Sequence, residues 1–297
     1  MTENEFILAD RIAKIKSINE SYDLLNKGYL SFSGGKDSTV MHKLLDLALP
    51  DNKIPRLFID TGIEYAAVVS FVQEMLKKDE RIVSLKPTKN IKDTLQTYGY
   101  PFKSKEYAML LASWKNGCRD NWLLNWVDGT AFERMPKILK YQLSDDFKLK
   151  ISHKCCYKLK KEPASAWSKK HGRPITITGI RKEEGGNRKT LSCIVSHNNK
   201  LVKFHPLSVI TEDWEDWFIK EYKIQLCKLY YPPYNYVRTG CKGCPFALHL
   251  HDDLDTMEKF FPKERKQCEL IWKPVYDEYR RIGYRLKEKT EETKSSD

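Results

Sequence analysis

Two groups of residues in this chain have the types and spacing for chemistry. The first is Ser33-Gly34-Gly35-Lys36-Asp37-Ser38. Its glycines permit unusual backbone angles and close approach, so successive amide N–H groups can face an anion, and Lys36 adds a full positive charge. Where such a run opens a helix, the helix N-terminus adds its own partial positive charge. The spacing fits neither Gly-x-x-x-x-Gly-Lys-Ser/Thr nor the three-glycine dinucleotide fingerprint, so this is a phosphate loop of another kind. Asp37 can only accept hydrogen bonds when ionised, which leaves it a loop-organising or magnesium-related role.

The second group is Cys155-Cys156 together with Cys241-Lys242-Gly243-Cys244-Pro245. Cys-x-x-Cys with Gly inside and Pro after it makes a tight turn that presents two thiolates to one centre, and soft thiolates select zinc or iron and sulfur. Adjacent cysteines usually point different ways. Cys268 therefore enters as a further ligand, so that Cys156, Cys241, Cys244 and Cys268 would hold the metal with Cys155 behind them. Cys118, Cys193 and Cys227 have no partner at ligand spacing and are expected in the core.

The elements that must position these groups follow from patterning. Apolar residues at helical spacing predict a helix over 6–26, then a short strand over 29–32 that runs into the glycines. A helix over 39–49, a buried strand over 55–60, a helix over 66–78, a strand over 81–85 and a helix over 91–98 follow. This alternation predicts an α/β fold with a doubly wound, mostly parallel sheet. Residues 101–150, with Trp114, Trp122 and Trp126, break the rhythm and read as a helical or irregular insertion. A strand over 175–179 and an extended piece over 203–206 resume it, and Thr211 is placed to cap a helix bearing Trp214, Trp217 and Phe218. The expected organisation is a nucleotide-binding domain over 1–215, a helical region over 216–287 that completes the cysteine site, and a disordered charged tail over 288–297.

Composition sets outer limits. With 297 residues and 41% hydrophobic residues the chain can build a full core, and its net charge of +12 favours polyanionic partners such as nucleotides, tRNA or DNA. No apolar stretch approaches the roughly 20 residues of a membrane span, and the first residues are polar and acidic where a signal peptide is apolar. The expected location is the cytoplasm, with no membrane partner, where clustered thiols are metal or redox candidates rather than disulfides.

At Ser33 to Ser38 the chain resembles the PP-loop, or adenine nucleotide alpha-hydrolase-like, superfamily, whose signature is Ser-Gly-Gly-x-Asp-Ser. The resemblance implies that Ser33, Gly34, Gly35, Lys36, Asp37 and Ser38 contact the phosphates of ATP or a sulfonucleotide. Phe58-Ile59-Asp60-Thr61-Gly62 is similar to the Asp-Thr-Gly stretch of the phosphoadenosine phosphosulfate reductase family. Three more segments resemble that family: residues 154–163, Gly179-Ile180-Arg181-Lys182-Glu183-Glu184 with Arg188, and Pro206-Leu207 ahead of Thr211-Glu212. This implies Asp60, Thr61 and Gly62 at the nucleotide, Arg181 and Arg188 as anion contacts, and catalytic roles for Lys36, Asp37 and Asp60. The Cys-Cys and Cys-x-x-Cys pairing resembles that of adenylylsulfate reductases, which implies a 4Fe-4S cluster on these cysteines, with zinc as the alternative.

The family's C-terminal Glu-Cys-Gly-Leu/Ile-His-like motif, which carries its nucleophilic thiol, is not matched, because Cys268 is the last cysteine and Glu269 follows it. The expected activity is therefore an ATP-dependent adenylation, aided by magnesium and coupled to iron-sulfur-dependent sulfur transfer onto an acceptor such as tRNA or DNA. The alternatives are an adenylylsulfate or phosphoadenylylsulfate reductase served by a thioredoxin-like reductant, and a non-catalytic nucleotide- or nucleic-acid-binding regulator.

Overall fold

Strand and helix alternate from the N-terminus as the apolar patterning requires. The structure is a computed structural model that describes residues 1–130, 134–185 and 188–286. The charged tail expected over 288–297 lies outside the described residues. In chain order the elements begin with α1 (Glu3–Tyr22), α2 (Leu24–Lys27), β1 (Gly28–Ser31), α3 (Lys36–Ala48), β2 (Arg56–Ile59), α4 (Ala66–Lys78) and β3 (Ile82–Leu85). Helices α5 (Ile91–Tyr98), α6 (Lys105–Lys115), α7 (Asn121–Asp128) and α8 (Glu162–Lys170) come next. Then follow β4 (Ile175–Ile177), β5 (Ile194–His197), β6 (Lys200–Phe204), α9 (Glu212–Glu221), α10 (Leu250–Phe260) and α11 (Pro262–Arg281). No helix of the described residues is long and apolar enough to cross a membrane.

The chain divides into two compact units, Met1–Thr88 with Lys160–Gly240, and Lys89–Leu159 with Cys241–Asp297. The division expected near residue 215 is therefore replaced by one in which the helical insertion belongs with the C-terminal helices. The physical reason is aromatic: Phe102 lies 4.6 Å from the Tyr279 ring and stacks on Tyr284, burying insertion and C-terminal helix in one core.

In the first unit a six-stranded sheet has the order β3-β2-β1-β4-β6-β5, parallel except where β5 runs against β6. Strand β1 is buried on both faces. Leu30 joins the core formed with α1 and α3, while Tyr29 packs against Leu57 and Trp167 on the other face. That two-sided burial is what a parallel sheet covered by helices demands. Strand β5 is an addition to the expected set. Asn198 and Asn199 both adopt positive φ, 50° and 59°, and form the two-residue turn that joins β5 to β6. Strands β2 and β3 extend to one side of β1 and β4 lies on the other, so the chain after β1 emerges at the switch point where open α/β sheets bind ligands.

Under the opposite ends of the strands lies a charge network. Arg56, fully buried, donates to Asn52 Oδ1 and Asp46 Oδ1, each at 2.7 Å, and to His42 Nδ1 at 3.1 Å. Arg81 donates to Asp46 at 2.8 Å and Asp79 at 2.7 Å. Burial, reinforced by the Arg56 charge, pushes His42 down to about 4, so it stays neutral and accepts the Arg56 hydrogen bond.

In the second unit one face of α11 carries Cys268, Trp272, Tyr276 and Tyr279 at helical spacing, all buried. Pro274 lies within this helix, on α11 between Trp272 and Tyr276.

Candidate functional site

The run Ser33–Ser38 lies between β1 and α3, with Gly35 at the N-cap of α3. Gly34 has φ of 71°, and a Cβ there would meet Val72 Cγ2 at 2.6 Å, so both conformation and packing against α4 require glycine. Gly35 has no side chain to cap the helix, and its amide and that of Lys36 are met by hydroxyls. Gly35 N donates to Ser33 Oγ at 3.3 Å and Lys36 N to the Tyr230 hydroxyl at 3.0 Å, which also pairs with Thr239 Oγ1 at 2.7 Å. Ser38 Oγ accepts from Ser33 N at 3.2 Å and donates to Gly35 O at 2.9 Å, which closes the loop on itself. Hydroxyls rotate and can be displaced, so the helix N-terminus is held ready without a permanent acceptor. Gly179, just past β4, completes the floor: a Cβ there would lie 2.4 Å from Asp37 O.

The charged side chains around the loop form a second network. Lys36 Nζ donates to Glu212 Oε1 at 2.9 Å and lies 3.4 Å from both Glu215 and Asp216. Burial alone would lower this ammonium, but Glu212, Glu215 and Asp216 outweigh it and raise it. Arg181 Nε donates to Asp37 Oδ1 at 3.0 Å, so Asp37 serves as a loop organiser, and the same guanidinium reaches Glu183 at 2.8 Å and Glu215 at 3.3 Å. Glu215 is fully buried, yet neither of its oxygens accepts a hydrogen bond. Burial, with the Asp37 charge beside it, pushes its carboxyl up to about 8 against the pull of Arg181 and Lys36.

The structure thus brings Lys36, Asp37 and Arg181 together. Arg188 stands further along, its N–H donating to Gly185 O at 3.2 Å. Asp60 follows β2 and receives Gly62 N at 3.1 Å. Thr61 is tied to Glu64 through both its N–H, at 2.9 Å, and its hydroxyl, at 2.8 Å, and Gly62 has φ of 78°. Glu64, in turn 3.2 Å from Lys160, is the residue that shapes this turn.

Sequence reasoning assigned no role to Glu215, Glu212, Tyr230 and Thr239. A signal existed for the first two: Thr211 caps α9 by accepting from Trp214 N, and the acidic first turn of α9 holds Glu212 and Glu215. Tyr230 carried none.

In the second unit Cys155 and Cys156 open a helical turn that runs into a π-turn over Tyr157–Lys161. On a helix, neighbours diverge by about 100° rather than the alternation of a strand, which removes the expected difficulty of aiming both at one centre. The Cys155 thiol is raised by its hydrogen bond with Cys156, by burial, and by the charges of Cys156, Cys244 and Cys241. These four thiols are therefore near enough to feel one another, although among the described residues no three His, Cys, Asp or Glu groups close on a single metal ion.

Cys244 N donates to Cys241 O at 3.3 Å, closing the expected turn, and Gly243 within it has φ of 60°. Helix α11 holds this turn from below: Trp272 Nε1 donates to Lys242 O at 3.2 Å, Tyr276 to Gly243 O, and Tyr279 to Pro245 O at 2.9 Å. Cys268 belongs to the same stripe. It is fully buried 3.9 Å from Met257 Sδ, and a Cβ on Gly243 would meet its sulfur at 2.8 Å. Cys155 thus lies within the electrostatic reach of Cys156, Cys241 and Cys244, while Cys268 packs under the Cys241–Cys244 turn beside Gly243.

The family model for the phosphoadenosine phosphosulfate reductase domain matches residues 27–119 and 130–247. Two uncharacterized proteins of Methanocaldococcus jannaschii are similar to the chain. One is 27% identical over 289 residues, covering 93% of this chain and 55% of the relative, and the other 24% over 268 residues, covering 88% and 44%. The chain spans about half the length of these curated relatives. Among solved structures, phosphoadenylyl-sulfate reductase from Candida auris in its phosphate complex is similar at 16% identity and a TM-score of 0.39, covering 68% of this chain and 76% of that one. The U34-tRNA thiolase NcsA of Methanococcus maripaludis, with its 4Fe-4S cluster, is similar at 17% and 0.37, covering 91% and 80%. Because the family match takes in the loop, the Asp60 turn, Arg181 and both cysteine pairs, this chain belongs to the phosphoadenosine phosphosulfate reductase domain family.

Proposed function

We propose that this protein binds ATP at the Ser33–Ser38 loop, cleaves it between the α and β phosphates to adenylate an acceptor, and couples that step to sulfur transfer. The observation that carries the choice of ATP is the surplus of carboxylates at the loop. Lys36 is engaged by Glu212 and Asp216 and Arg181 by Asp37 and Glu183, with the Glu215 carboxyl beside both. A bare sulfonucleotide anion would meet cations already neutralised. A polyphosphate that arrives with magnesium brings positive charge those carboxylates favour.

On this reading the amides of Gly35 and Lys36 exchange the hydroxyls of Ser33 and Tyr230 for phosphate oxygens. Lys36 swings from Glu212 to the leaving pyrophosphate, where its charge offsets the charge that develops in the transition state. Arg181 keeps Asp37, and with it the first turn of α3, in place. Asp60 orders the turn beside the loop through Gly62 N.

Cys155, Cys156, Cys241 and Cys244 form an all-thiol donor set that fits a four-iron, four-sulfur cluster, which when bound would supply a site for holding or passing on sulfur. Cys268 supports that set by packing rather than by ligation. Iron content then separates the two roles: Cys155→Ala is expected to lose most bound iron and the visible absorbance, whereas Cys268→Ala retains them in the folded fraction.

Anaerobically purified protein incubated with labelled ATP is expected to release pyrophosphate and form an adenylated species when a tRNA or DNA acceptor is present. Absence of both ATP binding and pyrophosphate release would falsify the proposal. A colourless, zinc-containing sample would remove sulfur transfer and leave the nucleotide site. The family match favours one further reading, a sulfonucleotide reductase drawing electrons from a thioredoxin-like protein. Sulfite release from adenylylsulfate or phosphoadenylylsulfate would establish that reading in place of the first.

A further inference from the structure

A cavity of about 390 Å³ in the second unit is used by neither the loop nor the cysteines. It lies where the ends of α5 and α6 meet the extended segment 147–154. That segment is fixed against the end of α5. Tyr100 N donates to Lys150 O at 2.7 Å, Ser152 N donates to Tyr100 O at 2.8 Å, and Gly99 at φ of 100° passes so close that a Cβ would lie 2.6 Å from Lys150 O. The cavity wall is thus built from backbone pairing.

Its lining is strongly one-signed. Lys115, Lys148, Lys150 and Lys154 contribute to it, and no Asp or Glu does. Lys115 and Lys150 shape the wall, the first on the carbonyls of Ser144 and Phe147, the second on Thr97 O at 2.7 Å. Lys148 and Lys154 are exposed. The ammoniums of Lys158 and Lys89 lie 5.1 and 5.6 Å from the Tyr98 ring, which also lines the cavity, and add to the positive field. An ordinary solvated surface intersperses both signs, whereas a cleft of one sign concentrates the opposite charge.

The remaining lining combines apolar and ring surface from Tyr98, Phe147 and Leu111 with the neutral polar groups of Thr97, Asn116 and Ser152, and His153 holds its Nδ1 buried without a hydrogen-bond partner. A volume in the range of small-ligand pockets, with a ring-sized apolar wall and lysines at its rim, matches one base with its phosphate. Trp114, the residue before Lys115 on α6, has the Arg119 guanidinium 3.7 Å from its ring centroid, a cationic and aromatic pair adjoining the cavity residues along the chain. A surface longer than one nucleotide favours a strand over a free nucleotide.

We propose that this cavity binds a nucleoside monophosphate unit presented by single-stranded nucleic acid. Ser152, His153 and Lys154 line it and lead directly into Cys155, so a bound nucleotide would lie beside the cysteine site. On the sulfur-transfer reading this is where the acceptor would rest, but the binding itself does not depend on that reading.

The test is fluorescence anisotropy of the full chain with labelled, 5′-phosphorylated single-stranded RNA and DNA hexamers. It is run without ATP, so failure of the loop reading leaves it unaffected. Saturable binding that weakens with added salt is expected, reduced about tenfold or more by Lys148→Glu with Lys154→Glu. The milder pair Lys148→Gln with Lys154→Gln, checked for an unchanged circular dichroism spectrum, is expected to give a several-fold loss and guards against misfolding of the charge reversal. AMP competing as well as the hexamers would keep the site but overturn the strand as its source. Undiminished affinity in the folded glutamine variant, or no binding of either hexamer, would overturn the proposal.

Discussion

Helix α3 takes part in two charge networks that are built on different terms. Along its middle, His42 and Asp46 join Arg56, Arg81 and Asp79 in a set where the arginines donate to carboxylates, an amide oxygen and a neutral imidazole at 2.7 to 3.1 Å. At its first turn, Lys36 and Asp37 join Arg181 and four further carboxylates, and the buried Glu215 receives no hydrogen bond at all. Satisfied buried charge secures a structure, whereas a buried carboxyl set against Asp37, with Arg181 and Lys36 only 3.3 and 3.4 Å away, marks a place arranged on other terms. The difference separates the part of α3 that holds the fold from the part that, on the proposed reading, meets the nucleotide.

The comparison breaks most readily at Arg56. Arg56→Ala takes its donors from the Ile54 carbonyl and from Asp46 in a buried site and is expected to cost about 3–5 kcal/mol in urea unfolding, with nucleotide affinity of the folded fraction kept. A loss below about 1 kcal/mol would show that this network is not the stabilising one.

Lys36→Ala should do the reverse. ATP-dependent pyrophosphate release is expected to fall about a hundredfold or more. Its unfolding midpoint should correspond to a change within about 1 kcal/mol, because Glu212 and Asp216 are exposed and the buried Glu215 keeps Arg181 beside it.

Gly179→Ala probes the contact between strand end and helix start. The new Cβ would press on Asp37 O, and a cost of about 1–3 kcal/mol is expected together with weakened ATP binding. Unchanged binding in calorimetry would show that the start of α3 tolerates displacement.

The smallest effect is expected from Glu215→Gln, and it sharpens the comparison through pH. Glu215 titrates near 8 in the folded chain against an ordinary value of 4.5, so folding takes up a proton between those values. Its contribution to stability therefore declines as pH rises through that window and levels off above it. The glutamine variant should lack this decline, so its stability relative to the parent grows steadily from pH 5 to pH 8. Parallel profiles would place the Glu215 carboxyl in the ordinary range.

Much of the fold was legible because its signals are local. Helices α4 and α5 begin and end where apolar spacing and flanking residues predict, and α3 starts at the glycines. Strand β5 escaped because its burial is partial and its only strong signal is the Asn198-Asn199 turn. The boundary between units escaped because Lys89–Leu159 and Cys241–Asp297 are distant in sequence and meet only through packing.

The same division holds at the site. A strand, two glycines, a lysine and a helix start determined a phosphate loop from sequence alone, since backbone freedom and helix polarity act within a few residues. A Cys-Lys-Gly-Cys-Pro run likewise determined a tight thiol turn. Only the tertiary structure decided that Tyr230, 194 residues away, meets the Lys36 amide, that Glu212, 176 residues away, holds the Lys36 ammonium, and that Cys268 packs against Gly243 of the thiol turn. These outcomes depend on burial and on which helix faces are brought together, and no local rule of chain geometry contains them.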